Sequence, residues 1–297
     1  MKMRTLKRHQ PLLTIIISVL ALSCLLPLLL VVIVSFSSMS SISQKGYSFF
    51  PSALSLDAWK KVLEYKEQIF QAYKITLFEV FGGTAVTLLF TSMFAYALSR
   101  KGWRLRGFLS VFLLITMLFN GGLVSSYVVY TTVYNLKDNL LVLILPGAVS
   151  AYNCIVMRTF IQSNVPDSLV EAAKIDGASE GYLFFRVVLP LMLPSLAAIG
   201  FMSAVGHWNE WQTSMLYMSE PSKATLQLLL VRIERNLEFL LNNVDGLTAD
   251  QIDELRKVPA DTTRMAILCV TMGPILIAYP FFQRYFIKGI TVGAVKG

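Results

Sequence analysis

Six apolar runs, at residues 12–36, 75–98, 107–130, 140–160, 193–218 and 265–286, dominate this 297-residue chain. Each is long enough to cross about 30 Å of hydrocarbon as a helix, which takes about 20 residues. Hydrophobic residues make up 55% of the chain and charged residues 15%, whereas a soluble domain carries about 25% charge. That much apolar surface needs lipid as its solvent. Inside a bilayer each backbone N–H and C=O must be satisfied by the segment itself or by a closed barrel. Runs of this length meet that demand as helices. The expected fold class is all-α: a polytopic membrane protein with six transmembrane helices.

The first run follows Lys2, Arg4, Lys7 and Arg8. It is too long for the apolar stretch of a signal peptide, and no small-x-small cleavage site follows, so an uncleaved signal-anchor is expected. With the N-terminus inside, 14 of the 26 Lys and Arg lie in inside segments together with four acids, while 13 acids lie outside. Positive charge is retained on the cytoplasmic side, so both termini are expected there. The expected organisation is a cytoplasmic N-terminus at 1–11, a first span at 12–36, an external loop at 37–74 and a transmembrane core at 75–286. The core carries a cytoplasmic elbow at 164–192 and an external loop at 219–264, and a cytoplasmic tail follows at 287–297. That second loop shows a helical stretch at 224–241 and an acidic piece at 245–254.

The net charge of +8 follows from this asymmetry. The basic stretch Arg100, Lys101, Arg104 and Arg106 reads as an anchor at an anionic leaflet, not as a nucleic-acid surface. Cys24, Cys154 and Cys269 all fall in apolar runs, where thiols serve as buried filler, and no CxxC pair or disulfide framework exists.

Between the fourth and fifth runs the chain reads Asn164-Val165-Pro166-Asp167-Ser168-Leu169-Val170-Glu171-Ala172-Ala173-Lys174-Ile175-Asp176-Gly177. Pro166 fits a first helical turn, and Asp167 meets the positive end of the helix dipole. Gly177 fits the position just past a helix end, where a left-handed conformation is cheap only for glycine. A helix of about three turns is therefore expected. A second helix, capped by Ser179, should then run to Leu189, where Pro190 and Pro194 limit its continuation. Leu169, Ala172, Ala173 and Asp176 share a face. Its alanines would let another protein's backbone come close, and Glu171 would reach a basic group there. An amphipathic helix lying on lipid headgroups is the plainer reading. It leaves the small face and the glycine corner unexplained.

Polar residues also interrupt the apolar runs. Asn120-Gly121-Gly122 weakens the third span by roughly 1 kcal/mol per glycine relative to alanine. A broken helix lining a wet path and a close helix–helix contact both fit. In the fifth run, His207-Trp208-Asn209-Glu210-Trp211 places an ionisable group where it is costly, and such a group marks a path or a pairing. Trp rings suit sugar faces, and Asn and Glu suit hydroxyls. An interhelical clamp is the alternative. His207 reads as a packing residue and not as a metal ligand, since no second His or Cys stands at ligand spacing. Lys74 and Glu79 read as residues snorkelling at the outer start of the second span. The aromatic residues near span ends, Tyr127 among them, suit an interfacial belt. The sequence holds no Gly-x-x-x-x-Gly-Lys-Ser/Thr loop, Gly-x-Ser-x-Gly, His-Glu-x-x-His or metal cluster. No catalytic, ATP or metal site is therefore expected on this chain.

Glu171-Ala172-Ala173, Gly177, Val187 and Leu189-Pro190 stand at fixed spacing. This segment resembles the EAA signature of ABC importer permeases, departing only in Val187, where the family has Ile. Phe119-Asn120-Gly121-Gly122, Leu145-Pro146-Gly147, Gly206 through Trp211, Tyr279-Pro280-Phe281 and the tail from Tyr285 to Gly297 extend the resemblance over nearly the whole chain. They are similar to the carbohydrate-uptake branch, on the side of the maltose permease G subunit and the lipoprotein- or oligosaccharide-type permeases. Ser125-Ser126-Tyr127 departs from the Pro-Thr-Tyr of many relatives.

The resemblance implies a type I ABC importer permease fold. It makes Glu171, Ala172, Ala173, Asp176, Gly177, Leu189 and Pro190 the element that couples to an ATPase. It implies a substrate path at Asn120, Gly121, Gly122, Tyr127, His207, Trp208, Asn209, Glu210 and Trp211. The implied partners are a second homologous permease, two copies of an ATPase carrying ATP and Mg, an extracytoplasmic solute-binding protein, lipid and a carbohydrate, an oligosaccharide in the first instance. The implied location is a bacterial cytoplasmic membrane. An ion-coupled transporter or channel using Glu210 is the competing expectation.

Overall fold

The structure is a computed structural model that describes residues 2–242 and 260–294. Its regular elements are helices. Three are long and apolar enough to cross a membrane unbroken, over Leu13–Ser35, Lys66–Ser99 and Asp261–Pro280. Three more segments qualify only as bent pairs: Arg106–Leu118 with Gly122–Val133, Leu140–Gly147 with Ala151–Asn164, and Glu180–Leu191 with Leu193–Asn209, bent by 114°, 52° and 78°. All six apolar runs therefore appear as helices, three of them interrupted. The acidic piece at 245–254 and the last residues of the tail lie outside the described residues.

The boundaries differ where charge misled the sequence reading. The second long helix starts at Lys66, not at residue 75, because Lys66, Glu67 and Gln68 are good helix formers despite their polarity. The expected external loop at 37–74 thus contributes the opening turns of that helix. It also holds two short helices, Met39–Lys45 and Asp57–Glu64.

The chain divides into two units, Met1–Glu67 with Leu230–Pro274 and Gln68–Leu229 with Ile275–Gly297. In the first, the Lys2–Ser35 helix buries none of its apolar window. Cys24 is exposed there, which corrects the expectation of a buried thiol. Past that helix the chain turns back on itself. Ser37 bridges Leu54, the ring of Phe36 stacks on Trp59 at 5.3 Å, and the Ser41 hydroxyl accepts the Ser52 amide at 2.8 Å. Arg264 pairs with Glu234 at 3.2 Å.

In the second unit, two apolar clusters hold the broken helices against Lys66–Ser99. One joins Ala95, Tyr96, Met157, Ile161, Val165, Val170, Leu183, Phe184, Val188, Met192 and Ile199. It seats the elbow between the fourth and fifth spans on the ends of the second and fourth. The other joins Ile75, Val142, Leu143, Tyr217 and Met218, with Tyr127 and Tyr130 packed on it. Near the latter, Asp138 accepts the amides of Ser219 and Glu220 at 2.6 and 3.3 Å, and Lys223 donates to the Asp138 carbonyl at 2.9 Å. The Ser219 amide foremost holds this carboxyl below the usual range. It ties the loop after the third span to the loop after the fifth.

Candidate functional site: the elbow and the polar breaks

The elbow opens with a helix from Asp167 to Ile175. Pro166 stands one residue before it in extended backbone, at φ −61°, ψ 134°, just ahead of the first turn where the sequence put it. The helix ends in a Schellman motif. Gly177 has φ +80°, its amide donates to the Lys174 carbonyl at 3.0 Å, and the Ala178 amide donates to the Ala173 carbonyl at 2.9 Å. Ser179 caps the next helix by accepting the Tyr182 amide. That helix loosens to π geometry over Leu183–Val188, tightens again at Leu189–Leu191 and bends at Met192 before Pro194. Pro190 and Pro194 lack the amide needed for a continuous ladder, so the bend falls between them.

Two sides of the elbow follow. Val170 is buried, and Ala173, Ala178, Val187 and Leu189 pack on the core. Glu171, Ala172, Asp176 and Pro190 face outward, with Leu169 at 43% and Ile175 at 86% exposure. Ala173 therefore belongs to the inner side, which corrects its expected place beside Ala172. Rotation by 100° per residue brings it round with Val170, three positions earlier. The outward apolar residues Ile175, Tyr182 and Phe185 were not singled out in the sequence.

A polar network fastens the elbow to the second span. The two Glu180 carboxylate oxygens take one donor each: Lys174 Nζ on Oε1 at 2.6 Å and the Tyr96 hydroxyl on Oε2 at 2.6 Å. The Arg100 guanidinium lies over the Tyr96 ring at 4.5 Å. Lys101 reaches Asp167 at 2.8 Å and holds its carboxyl below the usual range. Tyr96, Arg100, Lys101, Trp103, Asp167 and Glu171 line a cavity of about 610 Å³ here. Tyr96 and Glu180 carried no sequence signal, and Arg100 was read only as part of a leaflet anchor. Tyr96 and Glu180 lie 84 positions apart and meet only through the fold.

The polar breaks behave differently. Asn120 Oδ1 accepts the Gly122 amide at 2.9 Å, Gly122 has φ +83°, and Asn120, Gly121 and Gly122 are exposed. Tyr127 stacks on Tyr217 at 5.5 Å. In the fifth span the helix stops at Asn209 and resumes at Gln212. Glu210 Oε1 accepts the Thr213 amide at 2.9 Å, which spends this carboxylate on capping the following helix. Asn209 is exposed and donates to the Val205 carbonyl, Trp211 is half-buried, and Trp208 is buried 6.1 Å from the Tyr73 ring.

His207 turns inward, with Nδ1 3.5 Å from Oε1 of a fully buried Glu79. Glu79 therefore does not snorkel. It sits more than three turns inside a helix that begins at Lys66. Asn120 bonds within its own break, to the Gly122 amide, and Asn209 bonds back into its own helix, to the Val205 carbonyl. No group of three or more His, Cys, Asp or Glu among the described residues is arranged to hold a metal.

The family described as binding-protein-dependent transport system inner membrane component matches residues 87–292. The polygalacturonan/rhamnogalacturonan transport system permease protein YtcP of Bacillus subtilis (strain 168) is 35% identical, over 93% of this chain and 94% of that one. Protein LplC of the same organism is 34% identical over 92% and 90%. The arabinooligosaccharides transport system permease protein AraQ of Halalkalibacterium halodurans is 29% identical over the full length of both. A crystal structure of a bacterial ABC transporter involved in the import of the acidic polysaccharide alginate includes a chain that superposes with a TM-score of 0.78 at 27% identity. The match covers 95% of this chain and 98% of that one.

Proposed function

The chain belongs to the family of binding-protein-dependent transport system inner membrane components, and from that premise we propose that it is the membrane-embedded permease of an ATP-driven carbohydrate importer. It is a transport subunit, not an enzyme, and works beside an ATPase and a solute-binding protein. Oligosaccharides or fragments of polysaccharides are its substrate class, as the names of its relatives record for them. The full-length match carries this reading.

In finer detail, a second homologous permease completes the pathway, two ATPase copies hold ATP and Mg, and both termini face the cytoplasm. The outward side of the elbow, with Glu171, Ala172, Asp176 and Gly177, docks on the ATPase. Ala173, Leu189 and Pro190 carry its movement into the spans. Closure of the ATPases favours the outward-facing arrangement, and the substrate released above enters between the permeases by alternating access. Asn120, Gly121, Gly122, Asn209, Glu210 and Trp211 border that path, with Tyr127, His207 and Trp208 supporting it from within. An ion-coupled mechanism draws less support, since Glu210 is engaged as a helix cap.

The test is ATP hydrolysis by the complex in liposomes, wild type beside Gly177→Asp, with the cognate binding protein and either oligogalacturonides or arabino-oligosaccharides. Stimulation in the wild type that is lost in an assembled variant is the expected result. Equal stimulation in both would remove the elbow as transmitter. Uptake without a copurifying ATPase would overturn the importer reading.

A further inference from the structure

Glu79 and His207 form a polar joint that neither the sequence nor the family match assigns. The Glu79 side chain is 0% exposed, and neither of its oxygens has a hydrogen-bond partner among the described residues. Among the described residues its ionic neighbour is His207 Nδ1, 3.5 Å away on a ring only 11% exposed.

Glycines make room for that ring. A Cβ added at Gly83 would lie 2.5 Å from His207 Cε1 and Nε2, and one added at Gly147 would lie 3.4 Å from Cε1. Thr87 closes the same junction by donating to the Gly147 carbonyl at 3.1 Å. The imidazole thus sits where the second span, the entry to the fourth and the end of the fifth helix meet. It is three residues ahead of the Glu210 break.

A carboxylate this deeply buried is very costly as a lone charge. One proton shared with the imidazole makes the pair neutral overall. The other ionisable group acting on Glu79 is Glu210, itself held by the Thr213 amide. On its own helix, Tyr73 and Lys74 lie more than a turn away, and residues 140–150 contain no ionisable side chain.

We infer that Glu79 and His207 are positioning residues, a proton-sharing joint that pins the fifth span to the second and so sets Asn209, Glu210 and Trp211 at the substrate path. The transport consequence rests on the importer reading; the joint itself does not. Two readouts on the assembled complex keep them apart. The first is binding-protein-stimulated ATP hydrolysis in liposomes between pH 5.5 and 8.5, with oligogalacturonides as probe. The second is the thermal unfolding midpoint in detergent over the same range, which needs no substrate.

Gly83→Ala drives a methyl into the ring. Gly82→Ala meets only the movable end of Ile144, at 2.8 Å. The expected results are a lowered midpoint and at least a tenfold loss of stimulation for Gly83→Ala and Glu79→Leu, with Gly82→Ala within twofold of wild type. Glu79→Gln, permanently neutral and of the same shape, should keep stimulation at neutral pH and flatten the pH dependence of the midpoint. Equal midpoints for Gly82→Ala and Gly83→Ala would overturn the joint. Coincident pH profiles for wild type and Glu79→Gln would overturn the shared proton. Midpoints that separate as expected in a complex that nothing stimulates would uphold the joint and count against the importer reading.

Discussion

Gly177 adopts φ +80° with nothing within 4 Å of where a Cβ would stand. A substitution there meets backbone strain without a clash. Ala and Val should each cost about 1–2 kcal/mol, with Asn and Asp cheaper because both tolerate the left-handed region, as Asn135 and Asp138 do here at φ 51° and 57°. Hydrogen exchange of the amides from Asp167 to Asp176 in the assembled complex should follow that order, Asn and Asp closest to wild type. Asp138 offers a second test at this scale. Its carboxyl is held below the usual aspartate range, foremost by the Ser219 amide. A group depressed in the folded state adds stability above its unfolded pKa and loses it as pH falls through the folded value. Protection of the Ser219 and Glu220 amides should therefore be constant from pH 5 to 8 and decline only in stronger acid. In Asp138→Asn, where a neutral carbonyl can still accept, that acid-dependent decline should vanish.

Among the elements, the elbow was the most legible in sequence. Its proline, glycine and serine each impose a local backbone choice that outweighs everything around it, and the helix, corner and second helix follow. The break at Asn120-Gly121-Gly122 was legible for the same reason. The inward turn of Ala173 was not, because a helix of nine residues with alanines on two sides has no pattern that fixes its rotation. Val170 and Leu183 fix it by burial, and both pack into a core built from distant parts of the chain. Leu183 is fully buried, so Leu183→Ala should cost roughly 2–5 kcal/mol. It should loosen the elbow without changing its outward face. Limited proteolysis near Gly181, faster than in wild type while the spans remain assembled, is the expected outcome.

For the molecule as a whole, the count and approximate place of the spans were legible, since length and apolarity decide both. The pairing of Glu79 with His207 was not. An acid near an apparent span end reads as interfacial until the helix is seen to start at Lys66. At this scale the loop after the fifth span is proposed as the contact for a binding protein. Shortening it across residues 243–259 should abolish binding-protein stimulation while leaving basal ATP hydrolysis within about twofold. Stimulation that survives the deletion would place the contact elsewhere.

The three bent pairs lie consecutively between the unbroken Lys66–Ser99 and Asp261–Pro280. The Arg106–Leu118 piece has 13 residues. At 1.5 Å per residue that is about 20 Å, too short to cross about 30 Å of hydrocarbon. Neither half of such a pair can enter the bilayer and wait there by itself, because its free backbone ends would face lipid. Biogenesis then has an order built into it. The unbroken Leu13–Ser35 and Lys66–Ser99 helices leave the ribosome before the fractured segments and can settle alone, and each fractured segment behind them gains a stable place only against neighbours already inserted.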